Sequence, residues 1–443
     1  MVGQRAGYQG RMSDVRPIQR VLVADRGEVG VRLLRTLDAN GLESVAVFSD
    51  AEADAPWLDE AAYAVRIPPS GTADPYFDVP GIVTAALDSG SDAVHPGFRG
   101  LVRSAELART LHNVGLTWLG PRLDDLAWAL DRVQARSRAR DAGLELLPSS
   151  PLLTDPDAVA PWVERFGFPM VLRPGRRLAL RTRVVHSLAE ARRAVADAGE
   201  VGVFAERALA EARHVVVVVV GDGYGNGVHL GEHEASLVGP AGVRLRECPS
   251  AGVDDALRKR IGEGAVEFLS AHRYFGVGAV HFLIGPDGQP WFLDVEPGLP
   301  EGFALHNQVY GVDLVAAQVA LASGEELGWD QEEIHADGVA AEVAIALRRR
   351  GKITRLSFSD PSCVDTAVGE GQRVDLARYP VIARVRTRGP TRHAALVRLR
   401  GMLEAAVVEG VETDLGECVA MLADRNVWEG RTARRIAERG QGV

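Results

Sequence analysis

Residues 276–302, GVGAVHFLIGPDGQPWFLDVEPGLPEG, leave the chain few ways to fold. An apolar run at 279–284 meets the turn Gly285-Pro286-Asp287-Gly288. A second apolar run at 291–293 then leads into Asp294-Val295-Glu296. Two β-rich runs about a Pro/Gly/Asp turn predict a hairpin. Strand side chains alternate faces, so His281 falls opposite Asp294, and Asp294 and Glu296 share a side. One imidazole and two carboxylates facing a common space are candidate ligands for a divalent metal. The alternative for the trio is a polar remnant that holds nothing.

Apolar runs at 21–24, 45–48, 93–94 and 117–119 alternate with helical patterns, which predicts an α/β domain on a parallel, doubly wound sheet. A helix is expected over 123–143, ended by Asp141-Ala142-Gly143. A strand at 170–172, a helix at 187–198 and a strand at 203–207 form a compact αβ piece suited to a lid. Residues 214–247 read as β-rich, and the six valines from Val215 to Val220 suit a buried strand. Helices are expected at about 253–271 and at 311–324. The last portion reads as αβ, with amphipathic helices at about 392–407 and 415–423. These patterns divide the chain into a disordered tail, 1–16, and four units: 17–131, 132–204, 205–335 and 336–443.

Charge and cysteine usage exclude several classes of function. The net charge is −10 with no basic cluster, so no nucleic-acid partner is expected. No apolar run approaches the roughly 20 residues of a membrane helix, and the N-terminus has no signal-peptide pattern, so a cytoplasmic protein is expected. Cys248, Cys363 and Cys418 are too far apart for a disulfide framework or a zinc motif. Lys259 and Lys352 are the only lysines among 50 basic residues. Almost any cationic site must therefore be built from arginine, whose planar fork differs from a compact ammonium.

Several motifs together resemble the biotin carboxylase subunit of acyl-CoA carboxylases, an ATP-grasp family. Ala24-Asp-Arg-Gly-Glu-Val-Gly-Val-Arg32 resembles ANRGEIAxR, His95-Pro-Gly97 resembles HPGYG, and Leu119-Gly-Pro121 resembles IGP. Arg213-His214, Asn226-Gly-Val-His-Leu230 and Gly311-Val-Asp-Leu314 are similar to PRHIEIQ, GNxxHL and GVDL. Near the end, Tyr379-Pro-Val-Ile-Ala-Arg384 and Glu409-Gly-Val-Glu-Thr413 resemble YDPMIAK and GVxTN. Order and spacing hold from about residue 18 to 435. The resemblance implies a Rossmann-like (pre-ATP-grasp) N-terminal domain, an ATP-grasp lid and core, and a biotin carboxylase-type C-terminal region.

It also implies a site in which ATP, two metal ions, bicarbonate and biotin meet. The nucleotide lysines fall on Arg132 and Arg173, the adenine hinge on Glu206 and Leu209, and a ribose-side histidine on His214. The glycine-rich lid loop falls on residues 174–182 and keeps only Gly175, so Arg176, Arg177, Leu178 and Leu180 would crowd phosphate. The metal-binding acids fall on His281 and Asp294, with Glu296 at the place of an asparagine. Two positions in the valine strand that are polar in the family hold Val216 and Val218. The reactive-centre lysine and histidine fall on Val243 and Ala241, the general base on Gly302 beside Glu301, and two arginines on Gly298 and Ala344. Arg32, Arg35 and Arg392 match positions near the family's subunit interface.

Three functions fit this pattern. The first is a biotin carboxylase-like pseudoenzyme serving as a structural or regulatory subunit, as a homodimer or paired with an active homologue among acyl-CoA carboxylase subunits. The second is a repurposed ligase that uses ATP and Mg to activate another carboxylate, with phosphates on Arg132, Arg173 and Arg176 or Arg177. The third is a working carboxylase subunit. No covalent biotin is expected in any of them, because residues up to Val443 hold no MKM segment.

Overall fold

The computed structural model describes residues 17–69, 74–98, 100–177, 182–209, 211–239 and 241–433. The tail expected over 1–16 lies outside them, as do Leu178 and Leu180 of the lid loop.

Short apolar strands with no face for solvent pair in parallel and are covered by helices on both sides. The first unit does this with β1 (Arg20–Val23), α1 (Gly27–Ala39), β2 (Glu43–Phe48), β3 (Tyr63–Arg66), α2 (Val79–Asp88), β4 (Ala93–His95), α3 (Ala105–Asn113) and β5 (Thr117–Trp118). The strand order is β3-β2-β1-β4-β5, with every pairing parallel. β3 was not expected. It is four residues long and mostly exposed, so at the sheet edge it carries no apolar alternation to read.

The helix expected over 123–143 is two, α4 (Leu123–Ala129) and α5 (Arg132–Asp141). Asp131 breaks it by capping α5, its carboxylate accepting from the backbone N–H of Val133 and Gln134. Arg132 thereby becomes the first residue of a helix. The lid piece contains α6 (Ala160–Phe166), β6 (Met170–Pro174), β7 (Arg183–Val185), α7 (Leu188–Ala198) and β8 (Val203–Arg207). Its antiparallel sheet runs β7-β6-β8 over a core of Met170, Leu172, Val195 and Ala205.

The centre of the molecule is built on β9 (Arg213–Asp222), β10 (Gly227–Gly239), β11 (Gly242–Cys248), α8 (Asp255–Ala271), β12 (Phe275–Ile284) and β13 (Pro290–Pro297). It continues through α9 (Phe303–Tyr310), α10 (Leu314–Ala322), β14 (Val339–Arg349), β15 (Val364–Thr366), β16 (Val381–Gly389) and α11 (Arg392–Ala405). The helix expected at 311–324 is α10 alone. It is preceded by α9, which ends at Gly311 in the left-handed region, φ +68°.

One antiparallel sheet runs β13-β12-β9-β10-β11-β14-β16-β15. It passes through residue 336 without interruption, because β11 pairs with β14. The valine strand β9 lies inside this sheet and each of its six valines is buried. Val215, Val217 and Val219 pack with Phe268 of α8, whereas Val218 and Val220 join the opposite core.

A buried charge network joins α1 to the far sheet. Arg384 Nε donates to Glu28 Oε1 at 3.3 Å and its Nη1 to Glu342 Oε1 at 3.3 Å. Arg386 Nε donates to Glu342 Oε2 at 3.0 Å and its Nη2 to Asp365 Oδ2 at 2.7 Å. Among the described residues, no helix is long and apolar enough to cross a membrane.

Candidate functional site

The hairpin β12–β13 has the register that its alternation predicts, with His281 paired to Asp294 and Ala279 to Glu296. His281, Asp294 and Glu296 project into a cavity of about 480 Å³ between the central sheet and the segment that follows β6. Phe98, Val216, Ala235, Val243 and Leu293 form its apolar wall. Its polar lining is Arg103, Arg132, Arg173, Arg177, Arg246, His214, His233, His281, Asp294, Glu296 and Glu301.

Asp294 sits at the bottom under two guanidinium groups. Arg132 Nε donates to Asp294 Oδ2 at 3.0 Å, and Arg177 Nε lies 3.5 Å from the same oxygen. The same two arginines fasten the chain after β6. Arg132 N–H donates to Gly175 O at 2.9 Å and its Nη1 to Pro174 O at 3.2 Å, while Arg177 Nη1 donates to Val295 O at 2.7 Å. Burial pushes the Asp294 carboxyl up. The charges of Arg177, Arg132 and Arg173 outweigh it and hold the group well below the usual carboxylate range.

Glu296 faces a histidine. His214 Nε2 lies 3.0 Å from His281 Nδ1, and His281 Nε2 lies 3.1 Å from Glu296 Oε2. Burial raises the Glu296 carboxyl, but the hydrogen bond from His281 and the charge of Arg177 bring it down to about 2. The trio expected to hold a metal is therefore arranged otherwise. One carboxylate is committed to two arginines and the other to the imidazole. Among the described residues, no group of three or more His, Cys, Asp or Glu stands where it could hold a metal ion. These residues do not fit the metal ions that the resemblance implies, since a divalent cation at Asp294 would sit against two guanidinium charges.

At the other end, Glu301 forms ion pairs with Arg246 and Arg384. Arg246 is 2% exposed and also stands 3.5 Å from Glu342. Gly302 holds φ +92°, and a Cβ added there would lie 2.9 Å from Arg246 Cδ and 3.2 Å from His233 Nε2. Gly298 has φ +89°, with its added Cβ 2.6 Å from Val102 Cγ2. His233 Nδ1 is 2.9 Å from His306 Nε2, and burial pushes the His233 imidazole well below its ordinary pKa.

The expected nucleotide residues fall into two groups. Arg132, Arg173 and His214 line the cavity; Glu206 and Leu209 do not. Glu206 is 2% exposed and lies between two guanidinium groups, those of Arg136 and Arg173. Arg173 Nε is 2.8 Å from Glu206 Oε2 but is not aligned as a hydrogen bond. Leu209 packs with Leu147, Ala212, Leu283, Leu293 and Trp291 in a separate apolar cluster.

Arg32, Arg35 and Arg392 are all engaged within the chain. Arg32 Nη2 donates to Asp365 Oδ1 at 3.0 Å, and Arg35 Nη1 donates to Val364 O at 2.8 Å. Arg392 Nη2 donates to Glu247 Oε1 at 2.8 Å.

Sequence reasoning missed Arg103, Arg246 and the partners of Glu301. Arg246 carried a signal, because it is paired across β11 and β14 with Glu342, and opposite charges at one register position stabilise a ladder. Arg103 sits in a short turn after β4 with no periodicity to mark its direction.

Residues 17–126 match the family described as Biotin carboxylase, N-terminal domain, and residues 131–329 match Carbamoyl-phosphate synthase L chain, ATP binding domain. Biotin carboxylase 1 of Bacillus subtilis is 31% identical over 419 residues, covering 90% of this chain and 93% of its own. The mitochondrial methylcrotonoyl-CoA carboxylase subunit alpha of Oryza sativa is 31% identical over 90% of this chain and 57% of its own. Among solved structures, the biotin carboxylase domain dimer of Hydrogenobacter thermophilus 2-oxoglutarate carboxylase, in complex with MgADP, ADP and bicarbonate, superposes with a TM-score of 0.87. It is 25% identical, over 94% of this chain and 96% of that one.

Proposed function

The chain belongs to the biotin carboxylase family, and we propose that within it the protein has lost ATP-dependent carboxylation. It serves instead as a structural or regulatory subunit of an acyl-CoA carboxylase-type assembly, as a homodimer or paired with an active homologue. The observation that carries this reading is the commitment of Asp294 to Arg132 and Arg177, where the resemblance implies a metal-binding acid. Val243, Gly302 and Ala344 support it, since they leave the cleft without the implied lysine, base and arginine. General-base and electrostatic contributions are each worth a factor of roughly 10² or more in rate, so their joint loss removes useful turnover.

The test is ATP hydrolysis by the purified chain with bicarbonate and free biotin, alongside co-purification with acyl-CoA carboxylase subunits. No ADP above background is expected, and bicarbonate-dependent ADP release would overturn the reading.

The match to an ATP-binding domain favours a second reading, a ligase that phosphorylates another carboxylate, with Arg132 and Arg173 on the phosphates. Calorimetry with millimolar Mg-ATP discriminates: no heat of binding removes it.

A further inference from the structure

The lining of the cavity is electrically unbalanced. Five guanidinium groups, those of Arg103, Arg132, Arg173, Arg177 and Arg246, face three carboxylates, those of Asp294, Glu296 and Glu301. With the histidines neutral, two positive charges are left over in the lining; Glu206 and Glu342, which reach Arg173 and Arg246 from behind it, are shared with Arg136 and with Arg384 and Arg386. Arg103 carries much of this excess. Among the described residues its guanidinium makes no hydrogen bond and no ion pair within 4 Å, and its charged neighbours across the cavity are Arg177, Glu296, Asp294 and Arg132. Burying charge without a paired counter-charge is costly, and the two carboxylates near Arg103 are already engaged by Arg132, Arg177 and His281, so this half-buried guanidinium is a site for an anion.

Two further features define that anion. The place beside Asp294 that a divalent metal would take is filled by the forks of Arg132 and Arg177. The cavity also stops short of the hinge: of the apolar cluster around Leu209, only Leu293 reaches its wall. The open space is thus charged and lined by forks, with no apolar slot continuous with it for a flat ring.

We propose that this cavity binds a small oxyanion of two or more negative charges, bearing phosphate or carboxylate groups, and holds it by guanidinium groups without a divalent metal. The inference rests on the reading that carboxylation chemistry is absent, and it supplies the ligand class through which a regulatory subunit would be addressed. Guanidinium forks match both phosphate and carboxylate oxygens in pairs, and the excess of two charges is neutralised by a dianion.

The experiment is calorimetry on the full chain in EDTA with sodium pyrophosphate in one arm and sodium citrate in the other. One of the two is expected to bind at one per chain, and magnesium is not expected to tighten it; the arm that binds identifies phosphate or carboxylate. Arg103→Ala is expected to raise Kd about tenfold or more. Glu296→Gln keeps the bond to His281 but removes a negative charge, and is expected to lower Kd. A merely structural role would move both variants the same way. Thermal unfolding of each variant checks that it is folded.

Failure of both probes to bind at millimolar concentration overturns the inference. So does an absolute need for magnesium, or a change of the same sign in both variants. Carboxylase turnover in the separate assay would instead overturn the functional reading, so the two failures are distinguishable.

Discussion

Gly302 stands where the resemblance implies the general base, which makes Gly302→Glu the obvious attempt at repair. The structure gives the cost. The residue has φ +92° and ψ 2°, a left-handed conformation that costs an L side chain on the order of 1–2 kcal/mol. Its Cβ would meet Arg246 Cδ at 2.9 Å and the His233 ring at 3.2 Å. Neither neighbour can swing into solvent: Arg246 is 2% and His233 1% exposed, and the Arg246 guanidinium is anchored by Glu301 and Glu342. Overpacking against groups held in this way costs typically about 1–3 kcal/mol. Gly302→Ala, which isolates backbone and Cβ, is therefore expected to lose roughly 2–5 kcal/mol. Gly302→Glu should lose at least as much and gain no carboxylase activity. Urea unfolding followed by tryptophan fluorescence measures the loss, and ADP release with bicarbonate and biotin measures activity. A Gly302→Ala protein within about 0.5 kcal/mol of the parent, the scale of a neutral surface change, would refute the steric argument.

Other perturbations have defined outcomes. Asp365→Ala takes one of two counter-charges from Arg386, whose side chain is 3% exposed, leaving it Glu342, which Arg384 shares, and should cost about 3 kcal/mol in urea unfolding. Burial raises the Asp365 carboxyl, but Arg386 and Arg32 outweigh it and keep it low, so this stabilisation is present above the ordinary carboxylate range and fades as pH falls below it. Glu232 works in the opposite direction. Burial, only partly offset by Arg258, pushes its carboxyl up to about 7, so the folded state holds a proton that the unfolded chain has released. Stability should decline as pH rises from about 4.3 towards that value, and Glu232→Gln should flatten this limb in Tm measured across pH. Arg177→Ala removes the bond to Val295 O and the ion pair to Asp294; hydrogen exchange at residues 175–177 should accelerate, and unchanged protection would show that Arg132 and the segment's backbone bonds to Gly202 O and Leu130 O hold it without Arg177.

The central hairpin was legible because a period of two fixes both face and register, which is why His281 and Asp294 meet as expected. The valine run was legible for a similar reason, since only a strand covered on both faces tolerates six valines in succession. The edge strand at 63–66 escaped notice because it is short and mostly solvated. The break at Asp131 was readable in principle, as an aspartate before two otherwise unpaired backbone donors. The site was less legible. Alternation says that Asp294 points into a cleft but not which cation reaches it, because Arg132 and Arg177 arrive from a helix start and a lid segment more than a hundred residues away. That choice is made by tertiary approach, which leaves no local pattern.

A cleft furnished with guanidinium groups rather than amines holds its polarity constant. Deprotonation of arginine needs an alkalinity no cell reaches, and the side-chain amines open to an acylating reagent are Lys259 and Lys352, neither of which lines the cavity. Its attraction for anions is thus written into covalent structure and can be moderated only by the carboxylates and imidazoles interspersed among the forks.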